Sequence, residues 1–367
     1  MLVFINLLKN SVYRNNGNFR FINKTLLGIF LISQINLINA QTDTSGYKPT
    51  GIFFGKFYFN YHLHLNDTAK SNGVFESTRC LAGYDYSINP KLDAVLAIDV
   101  ASTSTSAYTL IVKCAYVNWE VLKPLKLMIG IFDMTQFNTQ EKHWGYRHVL
   151  KSFQDEYGFG ASNDAGINAE LTFNKKIKAN LFVVNGEGNK KLQDEFGMHR
   201  FGANVVVKPI NGLTLKVAGD MNPCKYGKFE YEWGVHDTST IYLYSAFAGY
   251  KFKEKFSVGA EFNQLLNGVK YTLTAQDYNL QGISLYATYF INKKWEIFAR
   301  YDHLESNRPG LAALPWNVAF DGDLYLGGIQ YTHVKGFNIA LNYRSWLYRD
   351  KTQKENSFIY LNFNYSF

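Results

Sequence analysis

Residues 357–367 read SFIYLNFNYSF, and this stretch decides the fold. Every second residue is apolar or aromatic, and the intervening positions include Asn362 and Asn364. The apolar row comprises Ile359, Leu361, Phe363, Tyr365 and Phe367. Such alternation predicts a β-strand with one apolar face and one hydrated face. Because an unpaired edge strand ending in Phe367 would expose its backbone groups, we expect this strand to close a barrel by pairing with the first strand.

The first 40 residues have a different composition from the rest of the chain. They contain basic residues and no acidic residue, and Leu26 to Leu37 is mostly apolar before the small residue Ala40. The basic residues are Lys9, Arg14, Arg20 and Lys24. This order predicts a secretory signal peptide cleaved after Ala40, because the apolar run is too short to span a membrane. We therefore expect a signal peptide at 1–40, a short segment at 41–53 and a barrel at 54–367; the true start codon stays open.

Charge and cysteine content exclude several classes of protein. Without residues 1–40 the formal charge falls from +8 to +4, because that segment holds four of the 38 basic residues and none of the 30 acids. So small an excess over a long chain does not favour binding to nucleic acid. Cys80, Cys114 and Cys224 are odd in number and lack metal-ligand spacing, so we expect free thiols and no cofactor.

The remainder of the chain reads as short alternating segments separated by turns. No apolar run after residue 40 approaches the ~18 residues of a membrane-spanning helix. Seven short, turn-rich connections alternate with eight longer ones, which predicts about 16 strands with both chain ends on the short-turn side. We therefore predict an all-β fold, a transmembrane antiparallel β-barrel with short periplasmic turns and long extracellular loops.

The two faces of the predicted strands differ in polarity. One face is apolar and is assigned to lipid, whereas charged residues alternate with it and are assigned to the lumen. The predicted lumen-lining residues are Lys56, Arg79, Lys126, Glu170, Lys216, Glu261, Arg300 and Arg344. Over all the inward positions, which also include acids such as Asp85, Asp93, Asp99, Glu296 and Asp302, both signs occur in similar numbers. We therefore expect a weakly selective pore, unless the charges pair across strands and only stabilise the wall. The parity of residues 108–120 stays open, because Lys113 favours one face and the apolar Ile111, Ala115 and Val117 favour the other.

The long connection at 133–162 is the best candidate for a functional element. Trp144, His148, Lys151 and Asp155 have helix-like spacing, and glycines follow them. The residues predicted to form a charged constriction are Glu141, Lys142, Arg147, Lys151, Asp155 and Glu156. In the alternative interpretation this loop is a surface cap attached to the rim by aromatic residues: Trp144, Tyr146 and Phe153.

Residues 51–367 together resemble the porin families of bacterial outer membranes. The terminal strand ending in Phe367 resembles the closing strand and assembly signal of such barrels. The blocks EKHWGYRHVLKSFQDEYGFG at 141–160 and NGEG at 185–188 resemble porin-like barrels of the Bacteroidetes. In porins of about 16 strands, the resemblance implies that the third extracellular loop folds into the lumen. It also implies an outer-membrane location, with membrane lipids, the barrel assembly machinery and small polar solutes as partners; a homotrimer stays open.

Two function classes follow from this sequence. The favoured one is passive diffusion of small polar solutes or ions through a water-filled barrel. The alternative is a non-conducting adhesin or structural barrel that binds a partner through loops 220–238 and 304–322. We expect no enzyme, because no histidine is followed two residues later by serine and no phosphate-binding fingerprint occurs. His62 and His64 share a strand face, yet we expect them to be solvated and to bind no metal.

Overall fold

The structure, a computed structural model, describes residues 46–66, 73–101, 108–190, 199–223, 229–231, 234–236, 240–268, 279–306 and 321–367. The chain divides into two units, Met1–Lys48 and Pro49–Phe367, and all described strands lie in the second. The predicted signal peptide at 1–40 and Cys224 lie outside the described residues, as do parts of the loops 220–238 and 304–322.

The described chain contains two helices and a series of β-strands. The strands are β1 (Thr50–His64), β2 (Val74–Asn89), β3 (Leu92–Ala101), β4 (Thr109–Leu122), β5 (Leu125–Asp133), β6 (Asn163–Thr172), β7 (Ile177–Val184), β8 (Arg200–Val207), β9 (Leu213–Asn222), β10 (Phe229–Tyr231), β11 (Gly234–His236), β12 (Ile241–Phe252), β13 (Phe256–Leu266), β14 (Leu280–Phe290), β15 (Trp295–Ser306), β16 (Gly322–Val334), β17 (Phe337–Tyr348) and β18 (Asn356–Ser366). The helices are α1 (Thr135–Trp144) and α2 (Phe153–Glu156).

Sixteen of these strands form one closed antiparallel barrel, and β10 and β11 form a separate two-stranded hairpin. The last strand closes the barrel: Phe59 of β1 lies opposite Phe363 of β18, in a register that continues along both strands. Beyond β18, the N–H of Phe367 donates to the carbonyl oxygen of Gly55 at 3.2 Å, and the reverse bond has the same length. The prediction of a closed barrel of about 16 strands is confirmed, and the barrel sheet has no free edge.

The first strand begins at Thr50, four residues before the boundary expected from the sequence. The additional residues are ordered by β2, where Thr50 lies opposite Ser87 and Phe53 lies opposite Tyr84. The rings of Phe53 and Tyr84 are 4.7 Å apart. The alternation missed these first residues of β1 because Gly55 interrupts the apolar row between Phe53 and Phe57.

A β-bulge explains the ambiguous parity of residues 108–120. Ala97 of β3 lies opposite Cys114, but the next residue, Ile98, lies opposite Val112, so Lys113 is the extra residue on β4. Lys113 and Cys114 are consequently both buried on the inner side. A bulge reverses the alternation of a strand on its two sides. The reading from Lys113 therefore holds before the bulge, and the reading from Ala115 and Val117 holds after it. Ile111, opposite the buried Asp99, lies on the inner face, so its outward assignment was wrong.

The barrel wall has the alternation expected of a strand that faces lipid on one side. In β13, for example, the outward Val258 and Phe262 are exposed, whereas Ser257 and Glu261 are buried on the inner side. Among the described residues, neither helix has the length and hydropathy needed to cross a bilayer.

The helix-like spacing of Trp144, His148, Lys151 and Asp155 was wrong as a helix prediction. Helix α1 ends at Trp144, because Gly145 adopts a left-handed conformation with φ of 79° and its N–H bonds the carbonyl oxygen of Glu141. Only the short helix α2 follows, after eight non-helical residues. The pattern was misleading because Gly145 ends the helix whatever the spacing of the residues that follow it.

Candidate functional site

The segment 134–162, here called the inner loop, folds inside the barrel. Its ends are joined by a hydrogen bond from the N–H of Met134 to the carbonyl oxygen of Ser162, 2.9 Å long. The Trp144 ring lies 5.4 Å from that of Tyr286, and the Tyr146 ring stacks on Phe298 at 4.3 Å. Tyr286 and Phe298 are buried and alternate with exposed outward residues of β14 and β15. The inner loop therefore packs on the inner face of the wall and is not a surface cap.

A second aromatic group anchors the other half of the inner loop. Phe153 and Phe159 are fully buried and their rings are 5.5 Å apart. They pack against inward leucines at the long-loop end of four strands, which are Leu243, Leu265, Leu280 and Leu304. Together with Trp144 and Tyr146, these residues form apolar clusters between the inner loop and the β12–β17 part of the wall, and burial of this apolar surface stabilises the packing.

Polar side chains of the wall also bind the main chain of the inner loop. The Lys216 ammonium donates to the carbonyl oxygens of Thr135 and Gln136 at 2.8 and 2.6 Å, and to Gln140 Oε1 at 3.2 Å. Across the barrel, Asn362 Nδ2 donates to the carbonyl oxygen of His148 at 2.9 Å. These bonds satisfy carbonyl groups that would otherwise be buried without a donor, so they fix the path of the loop.

Four of the predicted lumen-lining residues lie between the wall and the inner loop. Lys216, Glu261, Arg300 and Arg344 are each 5% exposed or less. Arg300 donates two hydrogen bonds to Asp302, of 2.8 and 2.7 Å, and its guanidinium lies over the Trp144 ring. Arg344 lies 3.7 Å above the centre of the Tyr360 ring. These side chains support the loop from behind.

An open cavity of about 200 Å³ lies on the other side of the inner loop, against strands β1–β5. The wall supplies basic and acidic groups to this cavity, and so does the loop. Its charged lining residues are Lys56, Arg79, Lys113, Asp133, Glu141 and Arg147. Two of the predicted lumen residues, Lys56 and Arg79, and two of the predicted constriction residues, Glu141 and Arg147, are thus brought together.

Arg147 is the centre of the charged face of the inner loop. Its guanidinium forms ion pairs with Glu141 and, at 2.6 Å, with Asp155. Burial raises the pKa of the Asp155 carboxyl, but Arg147 and Lys151 outweigh burial and hold that pKa below its usual range. The Arg147–Asp155 pair is therefore ionised at neutral pH.

The other predicted site residues lie away from this cavity. Lys142 and Lys151 are exposed on the inner loop, and Glu156 is half-buried in α2. Lys126 lies 3.7 Å from Glu120 and Glu170 lies 2.7 Å from Lys178, in both cases near the short turns. Sequence reasoning left out Asp133, which lines the cavity at the end of β5. The sequence did carry a signal for Asp133, because it is the charged residue that ends the strand segment LKLMIGIFD at 125–133.

The two histidines considered as metal ligands, His62 and His64, contact other side chains of the barrel. The His62 ring nitrogen Nδ1 is 2.8 Å from Asn60 Oδ1, and the His64 ring stacks on Phe358 at 4.5 Å. Within the described residues, no three metal-ligating side chains form a group that could hold an ion.

Comparison with known proteins gives the family. The profile described as "Putative beta-barrel porin-2, OmpL-like" matches residues 159–366, which is more than half of the chain. The chain belongs to this porin family. The predicted outer-membrane porin, a channel for passive diffusion of solutes, is thereby confirmed. No curated protein sequence matches this porin.

Solved structures similar to this porin have the same barrel architecture. The outer membrane channel DcaP of Acinetobacter baumannii is 11% identical with a TM-score of 0.65, covering 89% of this chain and 99% of that one. A loop L8 deletion mutant of OmpT from Vibrio cholerae is 14% identical with a TM-score of 0.63, covering 87% and 99%. The anion-selective porin from Comamonas acidovorans is 11% identical with a TM-score of 0.61, covering 87% and 100%. At these sequence identities, the structural similarity shows only that the fold is shared.

Proposed function

We propose that solutes cross this porin through the cavity between the inner loop and strands β1–β5. The observation that carries the proposal is the difference between the two sides of the loop. On the β12–β17 side, Trp144, Tyr146 and Phe298 are buried against one another and the inner loop covers the charged side chains of the wall. On the β1–β5 side, charged residues of the wall and loop face an open cavity. A polar path is where small polar solutes and ions keep favourable contacts after losing part of their hydration shell.

The charged residues of the inner loop set the narrowest part of this path. Glu141 and Arg147 line it directly, and Asp155 pairs with the Arg147 guanidinium from outside the lining. Lys142, Lys151 and Glu156 add charge along the remaining loop surface. On the opposing wall Lys56 and Arg79 face the same space, and Lys126 and Glu170 lie nearer the short turns.

Single-channel recording tests this proposal. The mature chain, refolded and inserted into a planar bilayer, is expected to give stable ohmic openings, because the proposed path runs through this cavity past the loop. A barrel that is folded by circular dichroism and heat-modifiable on gels, yet silent in the bilayer, would contradict it. That result would favour the non-conducting alternative, for which the extent of packing on the β12–β17 side is the supporting observation.

The targeting and assembly of the chain are part of the same proposal. Residues 1–40 act as the signal peptide, the short segment that follows ends where β1 begins at Thr50, and the barrel assembly machinery reads the terminal strand with Phe367. The short turns then face the periplasm, and the long loops face outward into a membrane of lipids. Amino-terminal sequencing of the outer-membrane protein should begin at Gln41; an intact amino terminus would contradict the cleavage site.

The finer family assignment rests on two sequence blocks, 141–160 and 185–188. The structure gives the second block a role, since Asp164 accepts a hydrogen bond from the N–H of Gly186 at 2.9 Å and holds this turn against the base of the inner loop. We assign the chain to the Bacteroidetes type of porin on these blocks.

A homotrimer is supported by the trimer form reported for OmpT of Vibrio cholerae. The porin family favours a channel over an enzyme. Mass measurement in detergent tests the trimer.

A further inference from the structure

Two β-bulges turn basic side chains into the same cavity. On β2, the register with β1 shifts between Tyr58 and Phe59, so Thr78 is an extra residue beside Arg79. On β4, the corresponding shift makes Lys113 the extra residue. Bulges re-aim side chains and are frequent beside functional sites. Here both bulges lie in neighbouring parts of the β1–β5 wall, and both Arg79 and Lys113 line the cavity.

Arg79 of this wall faces the cavity, whereas its acidic partner lies outside the lining of the cavity. Arg79 Nε bonds Asp99 Oδ2 at 3.0 Å, yet Asp99 is 7% exposed and does not line the cavity. The Arg147 guanidinium of the inner loop repeats this arrangement, since Asp155 pairs with it from outside the lining. In both pairs the cation is presented to the cavity.

The two lysines of the cavity have no carboxylate partner within the part of the chain that the structure describes. The Lys113 ammonium is buried and donates to two neutral oxygens, Ser162 Oγ at 3.2 Å and Asn163 Oδ1. Lys56 is exposed into the cavity. An ammonium that retains a free N–H and faces a cavity attracts an anion.

The acidic residues of the lining leave this excess in place. Glu141 is paired with Arg147, and Asp133 accepts a hydrogen bond of 2.7 Å from Asn163 Nδ2. Among the residues that line the cavity, four are basic and two are acidic.

We propose that this cavity is a binding subsite for a small anion bearing a carboxylate or phosphate group. Lys56, Arg79 and Lys113 bind its oxygens from the wall. The inference rests on the proposed path through the cavity and adds the class of solute to it. Such a site favours anions over cations without stopping conduction, because a solute that binds moderately can still leave.

The test is single-channel recording of the refolded mature chain with two substitutions and one matched control. The channel is expected to be anion-selective in a potassium chloride gradient, and succinate or inorganic phosphate should reduce the chloride current in a concentration-dependent way. Lys113→Gln should lower the ratio of anion to cation permeability by about threefold or more, because a unit charge in a partly screened site changes an ion's energy by that order. Lys56→Gln should change the ratio in the same direction and decides the question should Lys113→Gln fail to fold. Lys335→Gln, in the exposed turn between β16 and β17, should leave the ratio unchanged.

The outcomes separate the two proposals. A conducting channel without anion preference, or one whose selectivity and block are the same in Lys113→Gln and Lys56→Gln, overturns the subsite and leaves the path intact. A silent wild-type chain overturns both. Block by phosphate without block by succinate, or the reverse, identifies which oxyanion chemistry the subsite takes.

Discussion

Lys216 shows, at the scale of one residue, how the wall positions the inner loop. Its side chain is 3% exposed, and its three N–H groups are used by one hydrogen bond each to Thr135, Gln136 and Gln140. Each acceptor belongs to α1 at the start of the loop. A buried acceptor that loses its donor costs about 1–3 kcal/mol, so this one ammonium has a large effect on where α1 lies.

Replacing Lys216 with Met keeps the aliphatic stem and removes the three donors. We expect the free energy of unfolding to fall by about 2 kcal/mol and the open-channel current to become noisier, because α1 loses its fixed position. Urea unfolding in detergent and current recordings check both effects. Lys294→Met, in an exposed short turn, is the control. A quiet current in Lys216→Met at wild-type stability would contradict the positioning role.

Arg147 decides the charge of the loop face. Replacing Arg147 and Lys151 together with Ala removes two positive charges and leaves Glu141 and Asp155 without their guanidinium partner. We expect the relative permeability to cations to rise. The reversal potential under a salt gradient measures this change, and an unchanged potential would count against a constriction at this loop.

The inner loop, at the scale of an element, is held by packing more than by its own helices. Helix α1 is ten residues long and α2 only four, and helices of this length are marginal in isolation. The segment between the two helices contains the buried His148. Its ring nitrogen Nε2 lies 2.8 Å from Gln330 Oε1, and the ring is near Arg344. The docked state of the loop therefore depends on an uncharged imidazole.

Acidification is expected to weaken docking of the inner loop. Burial lowers the pKa of His148 to about 4, below the ordinary value of about 6.5. The undocked loop binds the proton more readily, so the stability from neutral His148 is complete above about pH 6.5 and is lost as pH falls toward 4, by up to about 3 kcal/mol. Current noise recorded between pH 7 and 4 should increase, and His148→Asn should reduce this dependence. A pH profile identical in the variant would refute the assignment to His148.

The whole molecule depends on closure between its first and last strands. Phe367 contributes at the junction, since its ring lies 6.3 Å from that of Phe57 and its backbone forms two hydrogen bonds with Gly55. An unpaired strand edge in lipid is costly, so the barrel is stable in the membrane only when the first and last strands pair.

Replacing Phe367 with Ala should reduce the amount of assembled barrel in the outer membrane severalfold while leaving conductance of the refolded chain unchanged, since the backbone bonds do not need the ring. Membrane fractionation and heat-modifiability on gels measure assembly. Phe173→Ala removes another exposed aromatic ring beside a short turn and serves as the control. Equal assembly of both variants would argue against Phe367 as a signal.

Much of the barrel follows from sequence: alternation in stretches such as 357–367 and the short turns between them specify the strands and their hairpin neighbours. Closure between β1 and β18 is not local, but it follows because an unpaired strand edge in lipid is costly. Only the tertiary structure decided which inward charges meet water. Lys216 and Arg300 have the same inward parity as Lys56 and Arg79, yet the first two are covered by the inner loop and the last two face the cavity. The bulge at Lys113 and the docking of Trp144 on Phe298 rest on contacts between residues far apart in the chain, and no local period encodes such contacts.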